Sequence, residues 1–137
     1  MNTDRSVQTV KSFFAAVSAG EGEALLALVA EDIAWIIPGD GWPLAGTHRG
    51  RAGVARLLET ASATMETSTE VREIVAQGDR VLVIGVATGK VKATDKPFVD
   101  DWVFAITVRD GQLTSVREYV DTQALARAAA ADTGRGH

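Results

Sequence analysis

Two carboxylate positions in the last third of the chain have the surroundings that acid–base chemistry needs. Asp100 and Asp101 lie in Phe98-Val99-Asp100-Asp101-Trp102-Val103-Phe104, a run with the β-branched and aromatic content of a strand. Side chains alternate along a strand. Asp100 therefore shares the bulkier face with Trp102, Phe104, Ile106 and Val108, and a one-residue slip would put Asp101 there instead. Glu118 stands in the same relation to Val116 and Val120 in the following run. A carboxyl held among apolar groups keeps its proton to higher pH. It can then serve as a general acid, or as a base poised near neutrality. Asp100 and Glu118, on adjacent strands, would supply one of each. The competing readings are a solvated strand-end carboxylate for Asp100, and for Glu118 an ion pair with Arg117 or Arg72, which stabilises little.

His48 is the one histidine away from the C-terminus, and its ordinary pKa suits proton transfer near neutrality. It lies between a strand and a helix, where it either reaches a cavity rim to assist the carboxylates or holds the loop by a hydrogen bond. Arg49 beside it is read as solvated.

Composition removes most other chemistries. The chain has no cysteine, so thiolate catalysis, disulfides and cysteine metal sites are excluded. Only two histidines are present and one is the terminal His137, and neither an EF-hand nor an HExxH spacing occurs. No metal and no cofactor are expected. With 14 basic and 18 acidic residues the formal charge is -4, a poor match for nucleic acid. No apolar stretch reaches the roughly 18 residues of a membrane span, and the first residues lack a signal peptide's apolar run. The expected partner is a small apolar molecule, and the expected location is cytoplasmic.

Certain elements must position these groups. At 46% hydrophobic, the 137 residues can form a core, and no internal break divides them. One domain over 1–137 is expected, with 132–137 a flexible tail. Val7, Val10, Phe13, Phe14 and Val17 recur at helical spacing and predict a helix over 5–19, ended by Gly20. A second helix is predicted over 22–30 and a short strand over 33–37. The Gly/Pro-rich run from Pro38 to Pro43 is loop, continued irregularly through 46–50. Residues 51–64 read as a helix. The period then changes to two, with strands predicted over 68–77, 80–92, 97–109 and 112–121 and hairpin turns at Gly78-Asp79 and Asp110-Gly111. Gly85 inside the second of these marks a bend or bulge. An Ala-rich helix over 122–131 closes the order, with Asp121 as its cap. Consecutive hairpins after helices give an α+β fold, in which a long curved sheet wraps the helices into a cone open at one end.

Several segments carry a family resemblance. Phe13-Phe14-Ala15-Ala16-Val17-Ser18-Ala19-Gly20-Glu21 resembles the first helix and turn of NTF2-like proteins. Ala27 to Trp35, Ala45-Gly46-Thr47-His48-Arg49-Gly50, Val108-Arg109-Asp110-Gly111-Gln112-Leu113 and Arg117-Glu118-Tyr119-Val120-Asp121-Thr122 resemble later motifs of the superfamily, in order and over nearly the entire chain. Within the superfamily the chain resembles the SnoaL-like, ketosteroid-isomerase-related proteins. The resemblance implies an NTF2-like cone, a curved antiparallel sheet wrapped around N-terminal helices, and a homodimer formed through the outer sheet face. Apolar residues on both parities, as in Val81-Leu82-Val83-Ile84, agree with a covered outer face.

Function carries over residue by residue, since the fold hosts many activities. Ketosteroid isomerase uses a Tyr where this chain has Phe13, and a base Asp where it has Ile37 before Pro38. Its second oxyanion donor falls near Asp100–Trp102. Its ordinary mechanism is therefore not expected. Limonene epoxide hydrolase places an Asp where Glu118 stands, but its Arg and second Asp fall near Gly85 and Ala87. The reading that remains is a SnoaL-like protein holding a small apolar ligand, as a cofactor-independent cyclase or isomerase with carboxylate chemistry. The alternatives are a non-catalytic binding module and an epoxide hydrolase or dehydratase-like enzyme. Phe13, Trp35, Ile37, Trp42, Trp102 and Val116 are the expected ligand-binding residues, with Trp42 a flap over the mouth.

Overall fold

In the computed structural model, which describes residues 3–39 and 42–130, the helical spacing of the N-terminal segment becomes the buried stripe of α1 (Thr3–Ala19). Val10, Phe13, Phe14 and Ala16 form that stripe. Gly20 ends the helix at φ 68°, a conformation costly for a residue with a Cβ. Its N–H donates to Val17 O at 3.2 Å and the Glu21 N–H to Ala16 O at 3.0 Å, the two bonds of a Schellman stop. This turn sends the chain into α2 (Gly22–Ala27).

The predicted second helix is shorter than its 22–30 expectation, because β1 (Val29–Ile37) begins four residues before the predicted strand. Val29 pairs with Leu113, and the Leu113 N–H donates to Leu28 O at 2.8 Å. The expectation of an irregular connection over 46–50 is also corrected. Gly46–Arg49 is an edge strand, β2, antiparallel to β1 with Trp35 opposite His48. Then follow α3 (Gly50–Thr64), β3 (Met65–Gln77), β4 (Arg80–Val91), β5 (Lys96–Arg109), β6 (Gln112–Tyr119) and α4 (Thr122–Ala129). Asp121 caps α4 as expected, its Oδ1 accepting from the Ala124 N–H at 3.0 Å. The tail expected over 132–137 lies outside the described residues, as do Asp40 and Gly41 of the Gly/Pro loop.

One six-stranded sheet results, in the order β2-β1-β6-β5-β4-β3. Its pairings are antiparallel except that of β1 with β6, which is parallel. β2 covers one edge of β1, and the other edge joins β6, the last strand of the meander. The bend expected at Gly85 is realised on the neighbouring strand, where the β3/β4 register shifts between Val71 and Glu73. A Cβ on Gly85 would lie 2.4 Å from Glu70 O and 2.4 Å from the Trp102 ring. The bare glycine thus lets β3 and the indole close in from both sides. Val10, Phe13, Ile33, Val54, Val83, Ile106, Leu113 and Val116 fill the core between the concave face and the helices. No helix among the described residues is long and apolar enough to cross a membrane.

Candidate active site

The inner face of β5 presents Phe98, Asp100, Trp102 and Phe104 in alternation, and these four side chains form one wall of a cavity of about 550 Å³. Phe13, Phe14 and Val17 of α1, Trp35 and Ile37 of β1, Leu57 and Leu58 of α3, and Leu125 of α4 complete it. Five rings make a continuous aromatic surface. Phe14 stacks on Trp102 with ring centroids 5.5 Å apart and planes 4° apart. Phe104 contacts Trp102 at 4.7 Å and Trp35 at 6.2 Å, and Phe13 meets Trp35 at 5.6 Å. The exposed residues Ser18, Glu21, Ser62, Thr67 and Ser68 lie at the rim, between the α1–α2 turn and the α3–β3 junction.

Asp100 is only 5% exposed. Its Oδ1 accepts a hydrogen bond from the Asp121 N–H at 2.6 Å, which ties β5 to the start of α4. Burial pushes its carboxyl up to about 6; the Asp121 N–H opposes the rise, and the charges of Asp121 and Asp101 add to it. Glu118 lies on β6 directly across from Phe104. Its Oε2 accepts from the Trp35 indole Nε1–H at 2.5 Å. Burial pushes Glu118 up to about 8, the indole bond opposes this, and the Asp100 charge raises it further. Between these two values Asp100 is ionised and Glu118 holds its proton. One apolar cavity can therefore hold a carboxylate and a protonated carboxyl side by side.

The structure brings some predicted residues together and separates others. Phe13, Trp35, Ile37, Trp42, Trp102, Asp100 and Glu118 line the cavity. Trp42 is a buried wall residue, 6% exposed, and not the flap over the mouth that its Gly/Pro loop suggests. Val116 shares the inner face but is sealed in the core, opposite Ile106 and Trp35, and does not line the cavity. Asp101 points to the outer face, where it is exposed opposite Val86. His48 does not line the cavity either. Its Nε2–H donates to Leu44 O at 2.9 Å, so the edge strand holds it by the loop hydrogen bond and away from the rim. Phe14, Phe104 and Leu125 line the cavity too, although sequence pattern alone did not single them out for the site. Parity with Asp100 and Trp102 is a signal for Phe104, and the α1 stripe is one for Phe14; nothing local marks Leu125.

Residues 10–116 match the SnoaL-like domain family. The chain belongs to this family, within the NTF2-like superfamily. An NTF2-like protein from Burkholderia xenovorans LB400 is 61% identical, with a TM-score of 0.88 over 95% of this chain and 99% of that one. Another, from Burkholderia thailandensis E264, is 24% identical with a TM-score of 0.85 over 95% and 99%. TerC, co-crystallised with polyporic acid, is 25% identical with a TM-score of 0.82 over 91% and 98%. No curated protein matches the chain.

Proposed function

We propose that this protein is a cofactor-independent isomerase or cyclase that moves a proton α to the carbonyl of a small apolar compound. One observation carries the reading: Asp100 and Glu118 share one aromatic-walled cavity, with carboxyl pKa values on either side of neutrality. The Asp100 carboxylate takes the proton from the carbon next to the carbonyl. That C–H electron pair becomes the enol double bond, and the carbonyl π pair moves onto oxygen. Glu118 donates its proton to that oxygen, and the Trp35 N–H stabilises the carboxylate left behind. Isomerisation returns the Asp100 proton to a different carbon of a conjugated enol, and cyclisation instead lets the enol carbon attack a second carbonyl, whose oxygen takes that proton. In both, the enol oxygen gives its proton back to Glu118 as the first carbonyl re-forms. That TerC was co-crystallised with polyporic acid supports a small-molecule cavity in this fold.

The test is α-proton exchange of 2-tetralone in D2O, followed by NMR with the full chain. Exchange above the buffer rate that falls in both Asp100→Asn and Glu118→Gln supports the reading. Exchange no faster than buffer, or indifferent to both changes, overturns it. A binding module is the second reading, favoured by the engagement of Asp100 Oδ1 with α4; it predicts saturable 2-tetralone binding with no exchange. His48 and Asp101 have no part in either reading.

The working unit in this proposal is a homodimer formed through the outer sheet face. Val75, Leu82, Ile84, Val99 and Tyr119 are exposed apolar side chains that support it. Light scattering should give twice the chain mass, and Leu82→Glu should halve it; a wild-type monomer at micromolar concentration would remove the proposal.

A further inference from the structure

The charges inside the cavity have a sign that the proposed proton transfer does not explain. Among the described residues three ionisable side chains line it, Glu21 at the rim and Asp100 and Glu118 within, and all three are acids. No Lys, Arg or His is among those lining residues. Asp121 and Asp101 add two further negative groups close to Asp100. The cations of the surface ion pairs are engaged elsewhere, Arg51 with Glu31, Arg72 with Glu70, Lys90 with Asp95 and Arg109 with Asp79. Asp100 has one backbone N–H for a partner and Glu118 one indole N–H. A buried carboxylate without a cation is costly, and a cation supplied by a ligand removes that cost.

The walls suit the same ligand. An ammonium is attracted to an aromatic face, most of all to Trp, and more strongly where water is excluded. Trp35, Trp102, Phe13, Phe14 and Phe104 surround the two carboxyls, while the hydrocarbon part of a ligand gains from the same surfaces. An anionic ligand would meet three acids and no cation. We infer that the cavity is a site for a protonated amine carried on an apolar ring or branched hydrocarbon. This rests on the cavity being the ligand site, and it narrows the substrate class to compounds that bear a basic nitrogen beside the reacting carbonyl.

The experiment compares three probes of one skeleton, 2-naphthylmethylamine, 2-naphthylmethanol and 2-naphthoate, by titration calorimetry with the full chain near neutral pH. The amine should bind about tenfold or more tighter than the alcohol, and naphthoate should show no saturable binding. Amine affinity should also rise with pH as Asp100 loses its proton, while alcohol affinity should not rise. Asp100→Asn and Glu118→Gln, each checked for folding by circular dichroism, should bring the amine-to-alcohol ratio towards one. Equal affinity for amine and alcohol, or naphthoate binding as tightly as the amine, overturns the inference. If that happens while 2-tetralone exchange persists, acid–base catalysis stands and only the ligand's charge is wrong. If none of the three probes binds, the ligand-site reading falls with it.

Discussion

The Trp35 indole and the Glu118 carboxyl meet across neighbouring strands, β1 and β6, by a 2.5 Å hydrogen bond between residues 83 apart in sequence. The parallel pairing of Trp35 with Val116 sets this contact, since it leaves Glu118 one inward position further along β6. An N–H donor favours the ionised carboxylate, so Trp35 works against the burial that raises Glu118. Trp35→Phe keeps an aromatic ring and removes the donor. The Glu118 pKa should then move above its value of about 8, read by NMR on carboxyl-labelled glutamate. A pKa that stays put or falls would show that the indole does not act on the carboxyl.

Catalysis that needs ionised Asp100 and protonated Glu118 has a bell-shaped pH dependence. Exchange of 2-tetralone should rise through about 6 as Asp100 ionises, and fall through about 8 as Glu118 loses its proton. The two limbs belong to a coupled pair, since the Asp100 charge raises Glu118. Residual exchange in Glu118→Gln should lack the alkaline limb, because the amide does not titrate. A Glu118→Gln profile that keeps the alkaline limb assigns that limb to another group.

Stability should fall with rising pH for the same reason. Both carboxyls have folded values above their ordinary 3.8 and 4.5, so the native state binds more protons than the unfolded chain between about 4 and about 8. The stabilising proton binding is fully present below the ordinary values. It is lost as pH rises through about 6 for Asp100 and about 8 for Glu118. Urea unfolding at pH 5 and pH 9 should differ by on the order of a few kcal/mol, with the protein more stable at pH 5. Glu118→Gln should flatten the decline above pH 6, where the Asp100 part is largely complete. Equal stability at the two pH values in the wild type would contradict the burial of both groups.

Much of this arrangement is legible in the residues themselves. The strand meander follows from a period of two broken at Gly78-Asp79 and Asp110-Gly111, and the inward side of Asp100 from its parity with Trp102. Local pattern does not reach the rest. Gly46–Arg49 has no strand pattern of its own and is extended because β1 offers it an edge. Parity with Val116 places Glu118 inward, yet its indole partner depends on a parallel pairing between distant segments. His48 is chemically suitable, and only the fold decides that its ring meets Leu44 O and not the cavity.

The aromatic wall depends on one missing side chain. Gly85 pairs with Trp102 on β5 and with Val71 on β3, and its empty side is filled by the Trp102 ring and by Glu70 O. A methyl group there would sit 2.4 Å from each, closer than real Cβ contacts allow, and the carbonyl belongs to a paired backbone that cannot swing aside. Trp102 must then leave its stack on Phe14, which also deforms the cavity beside Asp100. Gly85→Ala should therefore cost about 2–4 kcal/mol in urea unfolding and change the tryptophan emission of the folded state. Gly22→Ala is the matched control. Gly22 begins α2 with nothing within 4 Å of a new Cβ and no positive φ, so alanine there should be neutral or stabilising by up to about 1 kcal/mol. Equal effects of the two substitutions would mean that Gly85 is not where the sheet and the indole close in.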